Sequence, residues 1–221
     1  MNDWLRKNRL TLIATTIIIL LPVIAGVLLW KQLPAEMPTH FDMEGNVNGR
    51  MAKPLAVFLL PILLAAAQWF MILMMRSDPR QRNISPKMAA LSLWIIPVAS
   101  LTVSLFTYAA SMNIPLDVSR LIMIFMGILF VVVGNYLPKC RQSYTVGIRV
   151  PWTLDDEENW NATHRFGGIV WVAVGLLCIV LSFLPGLSVF SFWVIMIAVF
   201  LPAGYSYLYY VKYGKRGRSD D

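Results

Sequence analysis

The chain has little charge and few groups that carry chemistry. Only 14% of its 221 residues are Asp, Glu, Lys or Arg, whereas a soluble globular chain carries about a quarter. There are two histidines and two cysteines. Cys140 and Cys178 form no CxxC or Cys/His zinc spacing, and no HExxH motif is present. We therefore predict no metal site, no catalytic residues of the metalloprotease type and no bound cofactor.

Long uncharged stretches are abundant instead. Five of them lack Asp, Glu, Lys and Arg altogether: 10–30, 54–75, 88–116, 121–138 and 166–211. A membrane-spanning helix needs about 20 apolar residues. The last stretch is long enough for two helices, joined by a turn at Leu184-Pro185-Gly186. We predict an all-α, polytopic membrane protein with six transmembrane helices.

Positive charges fall mainly on one side of these helices. Fifteen Lys and Arg lie in the amino end, the second loop, the fourth loop and the tail, and four lie in the alternate loops. Because Lys and Arg concentrate in cytoplasmic loops, both termini are predicted to be cytoplasmic. The net charge of +7 then reflects topology and attraction to the lipid bilayer. We predict no direct nucleic-acid binding, since the basic residues are divided among four segments.

The order of the helices predicts a hairpin followed by a four-helix bundle. The polar segment 76–87, RSDPRQRNISPK, is the best candidate for a boundary. We predict an amino-terminal unit at 1–80 with an outer polar loop at 31–53. The second unit, 81–221, carries an inner polar loop at 139–166. No ionisable side chain lies near the middle of a predicted helix, which disfavours an ion-coupled transporter.

The outer loop carries a weak signal for a cation or proton site, formed by His40, Asp42 and Glu44. One histidine with two carboxylates lacks the second His or Cys that would strengthen a metal assignment. We favour a compact loop in which His40 and Asp42 cap the backbone or pair with Arg50 or Lys53. Prolines in this loop favour extended backbone, and its glycines permit turns.

The inner loop has a more specific pattern. Thr153 followed by Asp156 fits a helix capping box and predicts a short helix over 154–165. One face of that helix carries four side chains at positions i, i+3, i+4 and i+7: Glu157, Trp160, Asn161 and His164. Three interpretations stay open, namely a helix lying on the membrane with ordinary ion pairs, a docking surface for a protein or peptide, and a catalytic site.

Two sets of residues at these loops form longer motifs. The first set, around the outer loop, comprises Leu33-Pro34, Pro38-Thr39-His40-Phe41-Asp42, Gly45 and Lys53. The second set, around the inner loop, comprises Gly134-Asn135, Leu137-Pro138, Gly147-Ile148-Arg149, Pro151-Trp152-Thr153-Leu154, Glu157, Trp160, Thr163-His164-Arg165 and Gly168. The first set resembles the amino-terminal domain of SdpI-type proteins, and the second resembles the SdpI domain proper. At both loops the chain therefore resembles one family of bacterial membrane proteins, the SdpI family. Two departures, Val150 in place of threonine and Ser143 in place of asparagine, concern local hydrogen bonding.

This resemblance implies a multi-pass protein of the bacterial cell membrane that gives immunity to a secreted peptide toxin. It also implies binding of a cytoplasmic repressor, with signal transduction between the two sides. Toxin binding then falls to the outer-loop residues His40, Phe41, Asp42 and Gly45. Regulator binding falls to the inner-loop residues Arg149, Pro151, Trp152, Thr153, Glu157, Trp160, His164 and Arg165.

Two other classes of function stay open. A membrane-embedded enzyme acting on lipid or peptide would use His40 with Asp42, or His164 with Glu157. A small-solute channel would conduct through the bundle. The predicted topology puts the two histidines on opposite sides of the membrane, where they cannot form one site. We favour a noncatalytic binder.

Overall fold

A computed structural model of the chain describes residues 6, 8–42, 45–184 and 187–214. Within these residues, six helices are long and apolar enough to cross a membrane: Arg9–Leu28, Leu55–Ser77, Pro86–Ser111, Val118–Lys139, Glu157–Ser182 and Phe192–Tyr213. Each corresponds to one predicted span, so the mainly helical, multi-pass fold is confirmed. The predicted turn at Pro185-Gly186 lies outside the described residues, and the orientation in the membrane stays a prediction.

The elements follow one another in a simple order. They are α1 (Arg9–Leu28), β1 (Glu36–Phe41), β2 (Val47–Ala52), a π-helical turn (Leu55–Leu59), α2 (Leu60–Ser77), α3 (Pro86–Ser111), α4 (Val118–Tyr136), a short α5 (Pro151–Asp155), α6 (Glu157–Ser182) and α7 (Ser188–Tyr213). Single turns of 3₁₀ helix lie at Gln81–Asn83 and Leu137–Lys139.

The chain divides into two compact units. The first contains Met1–Leu73 and Ala89–Val118, and the second contains Met74–Met88 and Ser119–Asp221. These bounds differ from the predicted 1–80 and 81–221, since most of α3 belongs to the first unit. The physical reason is that α3 hydrogen-bonds to α1. Ser100 Oγ donates to the Ile19 carbonyl (3.0 Å) and the Tyr108 hydroxyl to the Pro22 carbonyl (2.7 Å). Both acceptors lie in the middle of α1, at Pro22 and one turn before it.

The outer loop of the first unit, which we predicted as a compact loop, forms an antiparallel β-hairpin. Its register pairs Glu36 with Ala52 and Pro38 with Arg50. At the base, Lys53 Nζ donates to the carbonyls of Trp30 (3.0 Å) and Leu33 (2.7 Å). The hairpin is seated on an apolar cluster of Leu33, Met37, Ala56, Val57 and Tyr108. We call residues 36–52 the outer hairpin.

In the second unit, α4 and α6 meet at glycines. A Cβ atom at Gly175 would lie 2.5 Å from the carbonyl oxygen of Gly127, and one at Gly168 would lie 2.8 Å from that of Gly134. Small residues permit this approach, because helix association within a bilayer depends on close packing. On the other side of α6, the Trp171 indole donates to the Ala198 carbonyl in α7 (2.9 Å).

We expect Gly175→Ala to destabilise the second unit. Its methyl group would overlap backbone of the facing helix, and overpacking of this kind costs about 1–3 kcal/mol. Gly204→Ala is the matched control, because nothing lies within 4 Å of the added methyl there. Thermal unfolding of the purified protein in detergent measures both variants. A similar change of Tm in the two would contradict the close approach of α4 and α6.

Candidate functional site

A buried histidine holds the inner loop against α6. The backbone N–H of Ile148 donates to His164 Nε2 (2.9 Å), and His164 Nδ1 lies 2.8 Å from the Trp160 carbonyl. Because an amide N–H only donates, Nε2 is the acceptor and the proton sits on Nδ1, which donates to the carbonyl. His164 is 1% exposed. Its ring stacks on that of Trp160 with 4.0 Å between centroids.

The same two rings explain a glycine in the loop. Gly147 has a φ of 116°, a value that favours glycine. A Cβ atom there would lie 2.5 Å from His164 Nε2 and 2.8 Å from the Trp160 ring. The Trp160 indole N–H donates to the Cys140 carbonyl (2.8 Å), and Trp160 is fully buried. Helix α6 therefore holds the inner loop at two points, Cys140 and Ile148.

The predicted short helix over 154–165 is helical from Glu157 onward, but it is the beginning of a long helix, and the predicted Thr153 cap is wrong. The Thr153 hydroxyl is used inside the loop, where it accepts from Val150 N (3.1 Å) and lies 3.0 Å from the Ile148 carbonyl. Asp156 has extended backbone and caps the next helix, since its carboxylate accepts from Glu158 N and Asn159 N. That helix is α6, which continues through the membrane to Ser182.

Burial divides the predicted face of this helix. Trp160 and His164 are buried, whereas Glu157 and Asn161 are exposed. On its buried side, α6 also takes part in a chain of hydrogen bonds that the sequence pattern did not indicate. Thr163 Oγ1 donates to Asn159 Oδ1 (2.9 Å), Asn159 Nδ2 donates to the Ser206 carbonyl (3.0 Å), and the Trp152 indole donates to Ser206 Oγ (2.7 Å). These bonds join the inner loop and α6 to α7.

A second residue that the sequence did not single out is Asp78, in the segment between α2 and α3. It is 6% exposed. Its carboxylate accepts from Arg80 N (2.8 Å), Tyr144 N (2.9 Å), Thr145 N (3.0 Å) and Thr145 Oγ1 (2.7 Å). A buried carboxylate needs such partners. Asp78 therefore fastens the interhelical segment to the inner loop.

Two amides extend this contact. Asn83 Nδ2 donates to the Gln142 carbonyl (2.8 Å), and Gln142 Nε2 donates to the carbonyls of Thr153 (2.8 Å) and Leu154 (2.9 Å). Segments 78–83 and 140–156 thus form one hydrogen-bonded assembly, which we call the inner cap. The Asp78-Pro79 pair is a turn signal in the sequence, but nothing in it identifies a partner 66 residues away.

The predicted inner-loop binding residues fall into two groups. Thr153, Trp160 and His164 are buried and maintain the shape of the inner cap, and Trp152 is half-buried. The exposed group consists of Arg149, Pro151, Glu157 and Arg165. Arg149 also donates to the Tyr144 carbonyl (2.7 Å), which fixes the position of its guanidinium.

The predicted outer-loop residues lie at the tip of the outer hairpin. Asp42 caps the turn, because its carboxylate accepts from Asn46 N (2.7 Å) and Asn46 Nδ2 (3.1 Å). Gly45 has a positive φ of 88°, which this turn requires. His40 is exposed and bonds the side chain of Asn48, and Phe41 is half-buried. Glu44 lies outside the described residues, among which His, Cys, Asp and Glu form no metal-binding group.

Comparison with known proteins finds a family match at each of the two loops. Residues 139–210 match the SdpI/YfhL protein family, and residues 17–65 match a domain of unknown function, DUF1648. The chain is 28% identical over 211 residues to the Immunity protein SdpI of Bacillus subtilis (strain 168), covering 94% of this chain and 98% of that protein. No solved structure matches the chain. The resemblance to the SdpI family is confirmed.

We expect Asp78→Ala to release the segment between α2 and α3 from the inner cap. Each buried amide left without an acceptor costs about 1–3 kcal/mol. Limited trypsin digestion should then cut after Arg80 and Arg82 at least several times faster than in the wild type. Asp155→Ala, which removes an exposed carboxylate nearby, is the control. Equal cleavage rates in both variants would show that Asp78 does not hold the segment.

We also expect Cys140 to react slowly with maleimide. Burial raises the pKa of its thiol to about 11, and the thiolate is the reactive form. In a Cys178→Ala background, the rate should be far below that of a cysteine at exposed Asn161. It should also keep rising about tenfold per pH unit beyond pH 8.5, where an ordinary thiol levels off. A plateau near pH 8.5 would contradict a buried thiol.

Proposed function

We propose that this protein confers immunity on a bacterium by binding a secreted peptide toxin at the outer hairpin and a cytoplasmic regulator at the inner cap, in the cell membrane. The observation that carries the proposal is the 28% identity to an immunity protein over 94% of the chain. The two matched family segments include the two polar structures: 17–65 contains the outer hairpin, and 139–210 contains most of the inner cap.

The geometry of the outer hairpin supports peptide binding. His40, Val47, Asn48 and Arg50 are exposed along it, while Met37 anchors it in the apolar cluster. Its turn is closed by Asp42 and its base by Lys53. A preorganised surface loses little conformational entropy when it binds. A rigid, mainly polar hairpin therefore suits the binding of a peptide.

The inner cap supports binding of a regulator by charge. Arg149 is exposed on it, and Glu157 and Arg165 are exposed on the adjoining first turns of α6. Buried hydrogen bonds from Asp78, Thr153 and His164 fix the backbone that carries them. Charged groups on a fixed backbone give specificity through complementary charge.

Catalysis at His164 and Glu157 has no support. A general base must reach a proton of the substrate. His164 is 1% exposed and both of its ring nitrogens bond to backbone groups. Glu157 is exposed, whereas His164 is buried, so the two side chains lie in different environments. We therefore favour a binding protein over a membrane enzyme.

The proposal predicts protection in a toxin-sensitive bacterium that expresses this chain. Wild-type protein should raise the survivable concentration of a secreted peptide toxin at least about tenfold, and His40→Ala should reduce that gain by a similar factor, which corresponds to about 1.4 kcal/mol of binding. Asn161→Ala changes an exposed residue outside the outer hairpin and should protect fully. No protection by wild-type protein that is verified to be in the membrane, against any toxin of a panel, would refute the proposal.

A further inference from the structure

The two outer edges of the hairpin differ in what they offer. Lys53 N donates to the Ala35 carbonyl (2.8 Å), so these two residues face each other at a hydrogen-bonded position. Bonded and non-bonded pairs alternate along an antiparallel ladder. The pairs Glu36–Ala52 and Pro38–Arg50 are therefore non-bonded, and their backbone groups point away from the partner strand.

The β1 edge is closed at its centre. Pro38 lacks an N–H and can occupy only an outward-facing position of the ladder. Its ring is buried, as is the side chain of Met37 beside it. A further strand cannot pair along β1, because one donor is missing and the ring occupies the edge.

The β2 edge is open. Val47, Arg50 and Ala52 are exposed. The ladder shifts register on both sides of His40, so the position of Val47 is judged from the hairpin tip. There Asp42 N donates to the Asn46 carbonyl (2.9 Å), and Val47, at the next pair, faces outward. At these non-bonded positions, the backbone N–H groups of Arg50 and Ala52 point away from β1. An edge with unpaired donors and acceptors is a template for another strand.

We propose that the outer edge of β2 binds an extended segment of the peptide toxin as an added third strand. Main-chain hydrogen bonds supply affinity in this mode of recognition, and side chains supply specificity. The exposed guanidinium of Arg50 selects a segment with a carboxylate at the facing position, because opposite charges across strands stabilise the pair. A second copy of this chain is a poorer occupant, since it brings another Arg50 to the same short edge.

This inference rests on the proposed function, because the toxin is the peptide that reaches the edge. The test compares Ala52→Pro with Glu36→Pro. Both substitutions remove one outward-facing N–H from the same non-bonded pair and leave the ladder bonds in place. Only Ala52→Pro alters the open edge. We expect it to lower the survivable toxin concentration about tenfold or more, while Glu36→Pro protects like the wild type.

Arg50→Pro is the second variant on the open edge, should Ala52→Pro fail to fold. Its cross-strand partner is already Pro38, so a proline suits this non-bonded pair. Equal Tm values in detergent verify that each variant is folded. As a direct readout, a photo-crosslinking residue at position 50 should capture the protective toxin, and one at position 36 should not.

The outcomes separate the two proposals. Absence of protection by the wild type overturns both. Full protection by the wild type and by all folded proline variants overturns strand addition and leaves the proposed function in place. Equal loss in Glu36→Pro and Ala52→Pro, at unchanged Tm, also overturns it, because the two edges would then be equivalent. Selective loss on the β2 edge supports it.

Discussion

Buried backbone polar groups need hydrogen-bond partners, and the inner cap depends on this constraint more than on any other. Residues 140–150 form neither helix nor strand, so side chains supply the missing partners. His164 accepts from Ile148, Asp78 accepts from Tyr144 and Thr145, and Trp160 donates to Cys140. The left-handed Gly147 follows from this arrangement, because a side chain there would displace the two rings.

The same constraint changes how the family motif is interpreted. Thr153, Trp160 and His164 resemble functional residues because they are polar or aromatic and lie close together in sequence. In the fold their side chains form hydrogen bonds with backbone groups, and all three residues are buried. Arg149 and Arg165, from the same motif, are exposed. A motif of this kind therefore contains both a scaffold and a surface, and only burial separates them.

The spans were predictable from sequence because a bilayer excludes charge, and uncharged runs of this length are rare outside membrane proteins. The residue at which α6 begins was not predictable from sequence. Its first turn is acidic and polar, and only the extended backbone of Asp156 shows where the helix begins. The outer hairpin was missed because β1 contains a proline and lacks a simple alternating pattern. Asp78 was missed because its partners in the inner loop lie 66 residues away or more, a pairing that no local pattern encodes.

The inner cap and the outer hairpin supply hydrogen bonds to their backbone groups in different ways. This difference bears on the kind of partner proposed for each. In the inner cap, side chains occupy many backbone groups of the irregular loop, so the proposed regulator would meet mainly charged side chains such as Arg149 and, at the adjoining start of α6, Glu157. Binding there should weaken with salt, because exposed charges are screened. In the outer hairpin, the ladder leaves the β2 edge unpaired. The proposed strand addition there would rest on main-chain hydrogen bonds, which depend less on salt and tolerate variation in the sequence of the bound peptide.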